Sequence, residues 1–230
     1  MFFDPMYFVF LAPALLLALW ARTRMMSAYN DASQMPAPLS GAAAARYILD
    51  SAGLHHVGVE AVPGQLSDHY DPTAKALRLS QPNFVGRSLS AVGIAAHEAG
   101  HAIQDAERYA PLVIRNLAVP AANFGGSGGI GLMLLGAVMQ IQPLIWAGLG
   151  LFSVVALFQI INLPVEYDAS ARAKRILVDS GIVPSTEMPH INKVLNAAAL
   201  TYVAGTLESI LTVAYYAMIF LGGGRSQSEE

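Results

Sequence analysis

Apolar and polar positions are segregated along this chain into long blocks. Residues Met6 to Trp20 read MYFVFLAPALLLALW, and with Phe2 and Phe3 the block approaches the ~20 residues that a bilayer-crossing helix requires. Arg22 and Arg24 follow this block, whereas a cleaved signal would place its basic residues before it. Leu117 to Leu163 contains no charged side chain and is long enough for two spans, roughly Val119 to Met139 and Leu144 to Leu163, joined at Gln140-Ile141-Gln142-Pro143. A last block ends near Leu221, and counting back ~20 residues starts it near Tyr202. The pattern therefore predicts spans at 2–21, within 118–163 and at 202–221, two polar segments at 22–117 and 164–201, and a polar tail at 222–230.

Shorter periods organise the polar segments. Ser40 caps a predicted helix that ends at Gly53. Val57 to Val62 alternates as a strand does, and Asp71-Pro72-Thr73-Ala74 turns a hairpin between Asp68-His69-Tyr70 and Ala76-Leu77-Arg78-Leu79. Ser88 or Ser90 opens a helix running to about Glu107. Asn162 is expected to cap another helix, with Pro164 in its first turn and Gly181 at its end, and Ser185 to start a long final one.

Composition agrees with the blocks: 54% of residues are hydrophobic and 13% charged, too apolar for an ordinary soluble domain. A net charge of −3 without a basic run excludes a nucleic-acid partner. Of the thirteen Lys and Arg, all but Arg225 lie in the two polar segments, which places those segments in the cytoplasm and both termini outside. Two features stand out in the apolar blocks. The run Gly125-Gly126-Ser127-Gly128-Gly129 suits either close approach of a neighbouring helix or a loosened one. Glu208 is a carboxylate at bilayer depth and hence a suspect for function.

His97-Glu98-Ala99-Gly100-His101 carries the chemistry. On a helix, residues four apart share a face, so both imidazoles can reach one Zn²⁺, while Glu98 beside it can take a proton from an activated water and return it to a leaving amine. The chain has no cysteine, so a third ligand must be His, Asp or Glu. Glu166 is preferred, with Ser170 one turn further to support a ligand; Asp168 has Arg172 one turn away as an ion-pair partner instead. His69, Tyr70 and Arg172 are candidates for stabilising an oxyanion, although His69 and Tyr70 could equally hold their own turn. Ala76 to Ser80, with Leu77, Arg78 and Leu79, is the candidate edge for adding an extended substrate as a strand.

With these residues in place, the chain resembles the YugP-type membrane zinc metallopeptidases of bacteria and, more distantly, the HtpX type. The segments Ser67 to Pro72, Ala95 to Gln104 and Asn162 to Ser170 carry the resemblance. It implies a zinc-dependent protease of the bacterial cytoplasmic membrane with its third ligand at Glu166. The distant relatives carry Asp where this chain has Ser170. Taken together, the expected protein is a mostly α integral membrane protein with four transmembrane helices and a small α+β zinc-protease domain. It would bind one Zn²⁺ per chain and hydrolyse peptide bonds of membrane or membrane-proximal proteins. A zinc-stabilised scaffold without turnover and a small transporter or channel subunit are the rival readings.

Overall fold

A computed structural model describes residues 5–223. Their backbone runs α1 (Pro5–Ser33), α2 (Gly41–Ser51), β1 (Gly58–Val62), β2 (His69–Asp71), β3 (Ala76–Ser80), α3 (Gln81–Val85), α4 (Leu89–Ala106), α5 (Ala110–Met139), α6 (Gln142–Asp179) and α7 (Met188–Gly223). The chain is mostly helical with one small sheet. Its described residues form two compact units, one of 5–20, 114–163 and 201–223 and the other of 21–113 and 164–200. Residues 2–4 of the expected first span and most of the expected tail lie outside the described residues.

The first unit is built from the apolar stretches of α1, α5, α6 and α7, four helices long and apolar enough to cross a membrane. Phe8, Leu16, Leu117, Phe124, Val138 and Leu157 are exposed, an arrangement that lipid solvates and water does not. The glycine run lets α5 and α6 touch. A Cβ on Gly129 would lie 2.8 Å from the Gly148 carbonyl oxygen, and one on Gly148 would lie 2.7 Å from that of Gly129. Close backbone approach is therefore what the glycines provide, since α5 is unbroken from Ala110 to Met139.

The second unit holds the sheet and the short helices. The Ser40 hydroxyl accepts from the Ala43 N–H at the start of α2, and Ser88 accepts from Ala91 at the start of α4. Gly53, at φ +73, turns the chain out of α2 in a conformation that costs glycine least. The core packs Ile48 and Leu49 of α2, Leu77 and Leu79 of β3, Leu89, Val92, Ala95, Ala96 and Ala99 of α4, Leu177 and Ile191.

Two expectations are corrected. The sheet has the order β1-β3-β2, with β1 parallel and β2 antiparallel to β3. Strand Ala76–Ser80 is thus central, its backbone paired on both sides and Leu77 and Leu79 buried, so Leu77, Arg78 and Leu79 offer no edge to a substrate. The alternation of Val57 to Val62 predicted a strand but not its partner, because parallel pairing is set by contacts across the chain rather than by a local turn. Secondly, no helix begins at Asn162. Helix α6 continues through Pro164 to Asp179, and the Asn162 side chain accepts from Arg115 Nε at 3.1 Å instead of capping. Proline removes one helical hydrogen bond, typically ~3 kcal/mol or more, and in a 38-residue helix that loss is outweighed by packing along its length. The final helix starts at Met188, three residues later than Ser185.

Candidate metal centre

Helix α4 carries His97 and His101 on one face, their ring centres 4.8 Å apart and the rings edge to face. Helix α6 brings Glu166 to them. Glu166 Oε2 lies 3.3 Å from His97 Nε2 and 3.7 Å from His101 Nε2, and one donor atom from each of the three residues falls within a 4.8 Å cluster. The approach of the two helices depends on Gly100, where a Cβ would stand 2.8 Å from the Ala169 carbonyl oxygen. Ala96, Ala99, Ala169 and Ala173 are fully buried here, so small side chains keep the contact tight.

Each imidazole is held from behind. His97 Nδ1 lies 3.2 Å from Ser170 Oγ, and His101 Nδ1 lies 2.9 Å from Gln104 Oε1. Both rings therefore turn Nε2 toward Glu166. Asp168 is elsewhere occupied, accepting from Arg172 Nε at 2.5 Å and from Gln104 Nε2 at 2.8 Å. Arg172 also donates to Glu107 at 2.6 Å and stacks over Tyr109.

Glu98 is buried, 8% exposed, and accepts no hydrogen bond among the described residues. Burial pushes its carboxyl above the usual range, against the pull of His97 and His101. For His101, burial disfavours the charged ring, but Glu166, Glu98 and Gln104 together outweigh it and hold the imidazole above its ordinary value. The same negative field favours a divalent cation at that point.

The other candidates are not among the three clustered donors. His69 is exposed and its Nδ1 bonds the Ser67 carbonyl at 2.8 Å, which holds the turn. Tyr70 donates its only proton to Asp105 at 2.7 Å, and burial together with that bond pushes the phenol well above its usual range. Arg172 is committed to two carboxylates. Glu208 is exposed on α7 within the first unit. Sequence reasoning missed Gln104, although its place three residues after His101 on one helix face was a readable signal. It also missed Asp68, which accepts from Ser80 N, Ser80 Oγ and Asn83 Nδ2 and joins the loop before β2 to α3.

Residues 7–221 match the family described as "Putative neutral zinc metallopeptidase". Over 221 residues the chain is 46% identical to "Putative membrane protease YugP" of Bacillus subtilis (strain 168), covering 95% of this chain and 98% of that protein. No solved structure matches the chain.

Proposed function

This chain belongs to the putative neutral zinc metallopeptidase family, and from that premise we propose that it is a membrane zinc endopeptidase whose metal is held by His97, His101 and Glu166. The observation that carries the reading is the convergence of two imidazole nitrogens and one carboxylate oxygen within 4.8 Å, beside a buried carboxylate that nothing else uses. The donor set fits zinc: three N and O ligands leave a fourth tetrahedral position open. One ion per chain follows from one such cluster among the described residues.

Bound zinc supplies Lewis acidity, polarising the scissile carbonyl and making water acidic enough to attack at neutral pH. Glu98 takes a proton from the attacking water and passes it to the leaving amine nitrogen. Glu98 is itself buried, which favours passage of the proton between the attacking and leaving groups over its loss to solvent. Ser170 and Gln104 hold the imidazole rings in place. An extended peptide added to the sheet would pair with β1 or β2, the outer strands. Membrane or membrane-proximal proteins are the substrates this reading favours, because α6, long and apolar enough to cross a membrane, also carries Glu166.

The test is Glu98→Gln in the full-length protein. The variant should retain zinc while peptide cleavage falls by roughly 10²–10⁴-fold, the usual worth of a general base. Cleavage at the wild-type rate would refute the mechanism. If neither protein cleaves yet both hold zinc and the same partner, the scaffold reading takes its place.

A further inference from the structure

Gln104 is fully buried, an unusual place for a glutamine, and every polar atom of its side chain is used. Its Nε2 lies 2.9 Å from the Val165 carbonyl oxygen and 2.8 Å from Asp168 Oδ2. Both of those atoms only accept, so the amide can be placed in one orientation alone. Oε1 then faces His101 Nδ1 at 2.9 Å, and an accepting oxygen there requires the proton on Nδ1. In the neutral ring the lone pair then sits on Nε2, the nitrogen 3.7 Å from Glu166 Oε2.

We propose that Gln104 is a positioning residue that fixes the tautomer and ring angle of His101, so that its Nε2 is presented as a metal donor before any metal arrives. Asp168 and Arg172 anchor it, forming a chain from Glu107 through Arg172, Asp168 and Gln104 to His101. The two histidines differ in this respect. Ser170 supports His97 through a hydroxyl that can donate or accept, which sets the direction of the ring without dictating where its proton sits. This inference rests on the metal reading above.

The test measures zinc affinity of the full-length protein in detergent by chelator competition, with the visible spectrum of the Co²⁺-loaded protein alongside. Gln104→Met, similar in size but unable to accept, should bind zinc 10–100-fold more weakly and shift the Co²⁺ bands. General loss of packing would weaken binding without moving the Co²⁺ bands, so the two readouts are taken together. Wild-type affinity in a folded Gln104→Met, or weaker binding with unshifted Co²⁺ bands, overturns the proposal. Should Gln104→Met fail to fold, ¹⁵N-histidine spectra of the zinc-free wild type decide: a proton on His101 Nδ1 supports the role and its absence overturns it. His97→Ala separates the two readings. If it keeps wild-type zinc affinity, the metal site itself is wrong; if it strips zinc while Gln104→Met does not weaken it, only the role of Gln104 fails.

Discussion

Glu166 and Asp168 are two residues apart on one helix, and that offset sends their carboxylates in different directions. One meets two imidazoles and the other a guanidinium. Glu166→Ala should therefore strip zinc from the purified protein, because a three-donor site losing one member loses much of its binding energy. Asp168→Ala should still load one equivalent at saturating zinc, since Gln104 keeps its bond to the Val165 carbonyl. Elemental analysis of the two variants checks this, and the reverse outcome would reassign the third ligand. The spacing His97, Glu98 and His101 was legible in the sequence because a helix converts an interval of four into a shared face. The bonds that commit Tyr70 to Asp105 and Arg172 to Glu107 were not, because they join residues 35 and 65 positions apart.

At the scale of elements, caps and turns were the readable part. Ser40, Ser88 and the Asp71 turn act through neighbours within three residues, so local sequence determines them. The central place of β3 and the unbroken course of α6 were not readable, since each depends on what packs alongside. Gly100 is where an element-level contact reaches the site. Gly100→Ala should push α4 away from the Ala169 carbonyl, lower stability by roughly 1–3 kcal/mol and weaken zinc binding. Gly150→Ala is the control, with no atom within 4 Å of its new methyl group, and should be neutral or slightly stabilising. Thermal unfolding in detergent, with zinc titration, distinguishes them; equal behaviour of the two would show that the α4–α6 contact is not tight.

For the whole molecule, the apolar helices and the distribution of Lys and Arg together propose an orientation, with the zinc segments in the cytoplasm and both ends outside. A reporter inserted near Gly64 should read as cytoplasmic and one fused after Gln227 as extracytoplasmic. Opposite readings would turn the site, and its substrates, to the other face.

His97 and Glu166 are 69 positions apart, and α5 and the apolar first part of α6 are made between them. The order of synthesis thus acts as a safety catch. At ~5–20 residues per second, a ribosome delivers the histidines several seconds before the carboxylate that completes the donor set. On the proposed mechanism, the nascent chain during that interval, still beside other newly made and unfolded polypeptides, holds the general base without the metal. Chains arrested after Leu163 should accordingly bind zinc far more weakly than released full-length protein, and tight binding by the arrested chain would mean that another residue completes the site early.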